Sequence, residues 1–471
     1  MSTISLDSRL HTILEDRKGK GTFRSLKKHV TRENSDEPDS TAKIDFLKRR
    51  FLERVKDTPT PLFGSTGSRL LDGTTPQHAA LEHRLCSFFS YGSTSSFSSS
   101  TMPPQHESAL LFNSGFDANV SFFSTVPQKT DYIIYDELVH ASVWDGMRAN
   151  ERRGVSVSRR KAFRHGDVGD LRRILEDIVT AENAEQRRAT TSTSTRHRRG
   201  MIFIAIESLY SMDGDLAPLP QMIHTLNELQ SLHPDAINPA RVCVVVDEAH
   251  TTGIYGAEGR GFVYDMVQRE KAKGSRGSRM EEWVQVRLMT FGKGMGSQGA
   301  VLLASSTIRS FLINYARPFI FSTAMSVVNV LAIEAAFDVI ESDEGEQLRR
   351  ALLTLAETLN NNVSSMLSTL RPNAKHLISA LPSPISPYDL DSRDPTPIYP
   401  LLTPHPHALA LHLQARGFLV RPVVHPTVPK GQERVRICLH SGNTEKDVKK
   451  MVESIAEWVR SVRGNPVHAK L

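Results

Sequence analysis

Apolar and polar positions along the chain follow two rhythms. Short runs rich in Ile, Val, Leu and Phe recur from about residue 108: ALLFNSGF (109–116), DYIIYDE (131–137), MIFIAIES (201–208), RVCVVVDEAH (241–250), RLMTFGK (287–293) and GAVLLAS (299–305). Each is bounded by turn residues, and helical stretches lie between them. Runs apolar on both faces suit strands buried on both sides. Their alternation with helices predicts an α/β domain around a mainly parallel sheet, with helices on both faces.

The rhythm changes towards the end of the chain. Residues 325–370, with LAIEAAFDVI and LRRALLTLAETL, read as a long helical region. The strand-like ERVRICLH then precedes TEKDVKKMVESIAEWVRSV, where Val448, Met451, Val452, Ile455, Val459 and Val462 fall on one helical face. Thr444 and Asp447 have the spacing of a cap for that helix. The pattern predicts an N-terminal arm (1–48), a major domain (49–325) and a smaller C-terminal α+β domain (326–471). Three segments biased to Ser, Thr, Gly or charge read as surface-loop insertions without chemistry: 90–101, 181–200 and 269–282.

Composition narrows the function classes. The chain has 471 residues, 39% hydrophobic and 23% charged, with 58 basic against 52 acidic residues. This mild excess sits partly in loop-like clusters such as RHRRG (196–200), without the interleaved aromatic platform that base stacking needs. No nucleic-acid partner is expected. The three cysteines, Cys86, Cys243 and Cys438, match no CxxC pattern, so neither a disulfide framework nor a metal site is expected. No apolar run reaches the length of a membrane span. The chain closes on Ala469-Lys470-Leu471, which resembles the Ser-Lys-Leu type of peroxisomal address. A peroxisomal import receptor is therefore an expected partner, with a cytoplasmic location otherwise.

Candidate chemistry collects at the ends of the predicted strands. RVCVVVDEAH ends in Asp247, with His250 three residues on. Ligands of α/β sheets bind at such carboxyl ends, although a helix cap and a turn histidine would look the same. Lys293 follows the next strand-like run in TFGKGMGSQG, among Gly292, Gly294, Gly296 and Gly299. Glycines there admit unusual backbone angles and a bulky planar partner. Thr290 offers a hydroxyl three residues before the lysine.

A lysine for a Schiff base, a carboxylate for a pyridine nitrogen and donors for a phosphate are what pyridoxal 5′-phosphate needs. Other stretches suit it. NSGFDAN (113–119) offers the amides of Gly115 and Phe116 at a helix start. DELVHAS (136–142) offers His140, ESLYSMDGD (207–215) offers Ser211, and FIFSTAM (319–325) offers Ser322 and Thr323.

With these residues in view, the chain resembles the α-oxoamine synthase family of fold-type I pyridoxal-phosphate enzymes. The motifs carrying the resemblance are GSRLLDG, NSGFDAN, ESLYSMDGD, DEAHTTGIYG, TFGKGMGSQG, IFSTA and PTVPKGQERVRICLHSGNT. It implies that Lys293 is the Schiff-base lysine, that Asp247 meets the pyridine nitrogen and His250 the ring hydroxyl, and that His140 stacks on the ring. It implies cofactor contacts from Ser211, Thr290, Thr323 and the amides of Gly115 and Phe116, and substrate contacts from Thr427, Arg421 and Arg69. Within the family the resemblance is strongest to the biotin-pathway branch. That branch implies L-alanine and pimeloyl-CoA as substrates and a homodimer with shared sites.

Two departures stand out. Where the family has an arginine before Pro-Pro-Thr, this chain has Val424-His425-Pro426-Thr427, with Arg421 as a substitute. A family segment like S-N-D-Y-L-G-L is absent, because KIDF (43–46) runs straight into LKRRFLERV (47–55). Another amino acid or acyl thioester, or a non-catalytic partner subunit, therefore stays open beside the biotin-pathway reading.

Overall fold

The computed structural model describes residues 11, 14–16, 18, 38–58, 63–91, 108–190, 199–273, 280–370, 374, 376–381 and 396–464. The Ser/Thr-rich stretch 92–101, most of the arm and the terminal Ala469-Lys470-Leu471 lie outside them. The chain divides into two compact units, Met1–Ala42 and Lys43–Leu471. The described residues of the first are helical. The second holds both β-sheets and the candidate site residues.

Seven strands form the main sheet: β1 (Ser108–Phe112), β2 (Tyr132–Asp136), β3 (Arg160–Phe163), β4 (Ile202–Glu207), β5 (Val242–Asp247), β6 (Val284–Thr290) and β7 (Ala300–Ala304), in the order β1-β7-β6-β5-β4-β2-β3. β2 to β6 run parallel to one another, and β7 pairs antiparallel with both β6 and β1. The sheet is thus mainly parallel, as the apolar runs predict. Side chains alternate across it. Ile202, Ile204, Ile206, Val242, Val244 and Val246 meet the helices Val168–Thr190, Leu219–Leu232 and Phe262–Ala272. Phe203, Ala205, Cys243 and Val245 meet Gly115–Thr125, Ala141–Glu151 and Ser306–Tyr315 on the other face. β3 has no counterpart among the predicted strands. As an edge strand, RKAF needs to bury only Phe163.

A second, antiparallel sheet holds β8 (Ser379–Ala380), β9 (Ile398–Leu402), β10 (Arg421–Val423) and β11 (Arg434–Cys438), in the order β10-β11-β9-β8. The predicted stripe on the last helix, Glu445–Gly464, packs here. Val448, Met451, Val452, Ile455 and Val459 are buried against Leu355, Leu359 and Val363. Its cap also forms: Thr444 Oγ1 accepts from Asp447 N at 3.2 Å, and Thr444 N donates to Asp447 Oδ2 at 3.0 Å.

Two expectations need correction. Residues 181–190 are not loop but the end of the helix Val168–Thr190. AENAEQRRAT is rich in strong helix formers, and Glu182 is buried there with Arg241 at 2.6 Å. The segment 269–282 is helical at both ends, in Phe262–Ala272 and Met280–Trp283. The expected helical region after 325 is present as Val327–Ile340 and Asp343–Thr369, the second capped by Ser342 Oγ on Gly345 N at 3.2 Å. No described helix is long and apolar enough to cross a membrane.

Candidate active site

The carboxyl ends of β2, β4, β5 and β6 deliver polar groups to one edge of the main sheet. Asp247 ends β5, Thr290 ends β6, Glu207 ends β4, and His140 follows β2 by four residues. These four and Lys293 line a cavity of about 320 Å³ with Gly115, Phe116 and Asn119.

Lys293 sits on the hairpin that reverses β6 into β7. Phe291 N donates to Gly299 O at 2.9 Å, and Ser297 N to Phe291 O at 2.7 Å. Gly296 (φ +61°) and Gly299 (φ +110°) take left-handed angles in that turn, which a side chain would strain. The glycines therefore serve the reversal as well as leaving room beside the lysine. Across the cavity, the helix Gly115–Thr125 opens with Ser114 as its cap, Oγ accepting from Asp117 N at 3.1 Å. A Cβ on Gly115 would collide with the side chain of Thr290. That close approach, to the Thr290 methyl, sets the helix start against the end of β6, where helix dipole and N–H groups make an anion site.

A chain of hydrogen bonds ties Asp247 to the same helix. Asn119 Nδ2 donates to Asp247 Oδ2 at 2.7 Å and to Ser142 Oγ at 3.0 Å. Asp247 Oδ1 accepts from Ala249 N at 2.9 Å. His140 caps the helix Ala141–Glu151, its Nδ1 accepting from Ser142 N at 3.2 Å and lying 2.7 Å from Ser142 Oγ. An Nδ1 that accepts leaves the proton on Nε2, so the ring is neutral. Asn119 and Ser142 lie inside the motifs NSGFDAN and DELVHAS, but their roles emerge only when the helices pack.

Electrostatics at the cavity favour neutral bases. Burial and Arg436 hold the Lys293 amine below its ordinary value, against the pull of Asp247 and Glu207. Burial, then Lys293, Arg436 and His140, push His250 down to about 3. Burial lowers His140 too, with Lys293 adding to it. Burial and the nearby Asp247 push the Glu207 carboxyl well up from its ordinary value. An amine with a lowered pKa beside a fixed carboxylate is suited to attack a carbonyl and to accept a proton.

Not every predicted residue reaches the cavity. His250 lies beside it and feels the charges of Lys293, Arg436 and His140. Ser211 presents its carbonyl to Arg436 Nη1 at 3.1 Å. Ser322 and Thr323 are exposed, and Thr323 O accepts from Asn113 Nδ2 at 2.8 Å at the cavity rim. Arg421 and Thr427 are exposed on the C-terminal sheet and its following loop. Arg69 is turned away: Nη2 donates to Glu82 Oε1 at 2.9 Å and Nε to Thr74 Oγ1 at 3.0 Å, with Phe319 under the guanidinium. Its role within this chain is to neutralise buried Glu82. The cation that does approach Lys293 is Arg436, from β11. Its Nε is buried without a hydrogen-bond partner among the described residues. The strand ERVRICLH gave no signal of this, because direction towards the main sheet is set by domain packing.

Comparison with known proteins is consistent with this geometry. The aminotransferase class I and II profile matches residues 40–455. The chain belongs to that family, and within it to the α-oxoamine synthases. It is 34% identical to 8-amino-7-oxononanoate synthase of Emericella nidulans over 88% of this chain and 85% of the relative. It is 30% identical to the aminoacyl transferase sphA of Aspergillus fumigatus, covering 88% and 78%. Among solved structures it shares the fold of Sphingomonas wittichii serine palmitoyltransferase (TM-score 0.63, 22% identity, covering 91% and 85%). It shares it also with 8-amino-7-oxononanoate synthase of Francisella tularensis (TM-score 0.57, 21% identity, covering 88% and 94%).

This α-oxoamine synthase relative is a pyridoxal 5′-phosphate-dependent acyltransferase-type enzyme. The residues present fit the cofactor: one cavity is lined by a helix N-terminus, the Thr290 side chain, a hydrogen-bonded carboxylate and Lys293.

Proposed function

We propose that the chain condenses L-alanine with pimeloyl-CoA, releasing CoA and CO2 and giving 8-amino-7-oxononanoate, the biotin-pathway reaction. The observation that carries this reading is Lys293, its amine pKa lowered, in one cavity with Asp247 and the Gly115 helix start. Pyridoxal phosphate, when bound, supplies a carbonyl for the amino acid and an electron sink for its α-carbon. Asp247, oriented by Asn119 and Ala249, would hold the protonated pyridine nitrogen. His140, neutral, would contact the ring without competing for that charge, with His250, also neutral, beside the cavity rather than in it. Thr290 and the amides of Gly115 and Phe116 would hold the phosphate.

Lys293 then does the proton work. Its Nζ takes the α-proton of alanine. The α-carbon forms a bond to the thioester carbonyl carbon, and the C–S bond breaks with CoA leaving as the thiolate, which takes its proton from solvent. The carboxylate departs as CO2, and a proton from Lys293 returns to the α-carbon. Arg436, with its unpartnered Nε, is the group we assign to the alanine carboxylate.

The fungal and bacterial relatives named 8-amino-7-oxononanoate synthase support alanine and pimeloyl-CoA. The sphA relative and the serine palmitoyltransferase structures favour a second reading, a different amino acid or a longer acyl thioester. We also propose a homodimer. An apolar face with Phe63 (84% exposed), Leu71 (72%) and Phe321 (70%) borders the Ser68–Thr323 bridge near the cavity rim, and such faces are covered in solution.

The test is purified protein with pyridoxal phosphate, its absorbance followed on adding alanine, glycine or serine, then pimeloyl-CoA or palmitoyl-CoA. Product masses identify the pair. A Lys293-dependent band, an alanine response and a product of the expected mass support the reading. Serine with palmitoyl-CoA would replace it, and no band at all would favour a non-catalytic partner subunit.

A further inference from the structure

Away from the cavity wall, one half-buried side chain is engaged at both ends. His165 follows edge strand β3. Its Nδ1 lies 2.9 Å from Asp136 Oδ1 and 3.1 Å from Oδ2, and its Nε2 lies 2.9 Å from Asp215 Oδ2. A neutral imidazole has one N–H and would leave one carboxylate without a donor, so both bonds require the cation. Burial alone would lower the pKa, but Asp136 and Asp215 push it up to about 11. Tyr210 packs edge-on against the ring at 4.5 Å.

The two carboxylates belong to different loops. Asp136 ends β2, and its Oδ1 and Oδ2 accept from Leu138 N and Gly166 N, each at 2.9 Å. Leu138 lies two residues before His140. Asp215 belongs to a closed loop after β4, in which Tyr210 N donates to Asp215 O at 3.0 Å, Gly214 N to Tyr210 O at 2.8 Å and Ala217 N to Ser208 O at 3.0 Å. The tip of that loop receives the C-terminal sheet. Arg434 Nη1 donates to Met212 O at 3.1 Å and Asp213 Oδ1 at 2.9 Å, and Arg436 Nη1 donates to Ser211 O at 3.1 Å. Asp215 Oδ1 is buried without a partner, so His165 makes the carboxylate's one hydrogen bond among the described residues.

We propose that His165 is a positioning residue: it ties the loop that leads to His140 to the loop that seats Arg436, and so sets how tightly the site takes the carboxylate of its amino acid. The inference deepens the proposed synthase reading and rests on it. His165 touches neither substrate nor cofactor. It acts by keeping the Ser211 carbonyl where Arg436 needs it.

The test compares wild type with His165→Gln, which cannot bond both carboxylates as a cation, and Asp215→Asn, which keeps an acceptor for Nε2–H. Hydrogen exchange at Tyr210, Gly214 and Ala217 is read on the cofactor-free chain. Dissociation constants for pyridoxal phosphate and L-alanine are read from absorbance. Loss of a charge-assisted bond predicts that His165→Gln speeds exchange at these amides, and weakens alanine, by about tenfold or more. Pyridoxal phosphate affinity should move by less than about twofold, and Asp215→Asn should lie near wild type. Unchanged loop exchange in His165→Gln overturns the proposal, as does an equal fall in cofactor and alanine affinity, the mark of a merely structural lesion. If wild type responds to no amino acid, the synthase reading fails while the exchange result still decides whether His165 is the joint.

Discussion

Two partly or largely buried histidines follow strands of the same sheet and carry opposite charge states. His250, after β5, is held down to about 3, and His165, after β3, is pushed up to about 11. Burial disfavours the cation at both. The difference lies in the neighbours. His250 faces Lys293, Arg436 and His140, whereas His165 is clamped between Asp136 and Asp215. At the cavity, neighbouring cations add to burial in lowering the pKa values of its bases. The joint collects carboxylates and so keeps a permanent cation. One region is arranged for proton transfer and the other for fixed position.

The largest expected effect breaks the cavity side. Lys293→Ala should cost turnover about 10²–10⁴-fold or more while the fold is kept, measured by product formation and circular dichroism. Turnover within tenfold of wild type would remove the lysine from the reaction.

On the joint side, His165→Phe leaves two buried carboxylates without their cation. Stability should fall by about 3–5 kcal/mol, read from urea unfolding. A loss below about 1 kcal/mol would mean the clamp does not hold charge.

The two histidines also predict opposite pH limbs. With a folded pKa of about 3 against an ordinary 6.5, His250 makes the unfolded chain bind more protons, so stability falls as pH drops from about 6.5 towards 3. His165, at about 11, contributes stability that is complete below 6.5 and is lost as pH rises through 11. Each contributes a slope of up to about 1.4 kcal/mol per pH unit. His250→Asn should flatten the acid limb and His165→Gln the alkaline limb. Unfolding midpoints at several pH values would expose either prediction if a limb stayed equally steep.

A finer test separates two arginines. Arg436→Ala should weaken alanine by about tenfold or more and raise the Lys293 pKa, since Arg436 helps to lower it. The absorbance titration would then move to higher pH. Arg421→Ala, at an exposed position, should change alanine affinity by less than about twofold and stability by less than about 0.5 kcal/mol.

Much of the site was legible because it sits at the ends of apolar runs. Asp247 and Thr290 close two of them, and Lys293 follows in a glycine-marked turn. Gly115 opens a helix just after another. The departure around KIDF is filled by the helix Pro38–Asp57, whose Leu47 approaches Gly296 on the Lys293 hairpin. That could be read as a helix only by seeing 43–46 and 47–55 as one element. Arg69 shows the opposite limit. Its motif is plain, but Glu82, thirteen residues on, claims its guanidinium. Glu207 stood in a quoted motif and went unused, because its burial against Asp247 comes from the pairing of β4 with β5.

By itself the sequence determined the alternation of strands and helices, the stripe and cap of the last helix, and the lysine turn. These depend on residues within a few positions of one another, where periodicity and turn chemistry suffice. Only the tertiary structure decided that β7 runs against its neighbours, that Arg436 rather than Arg421 approaches Lys293, and which histidine carries charge. Those outcomes depend on fields and contacts between segments tens to hundreds of residues apart, and no local pattern encodes them.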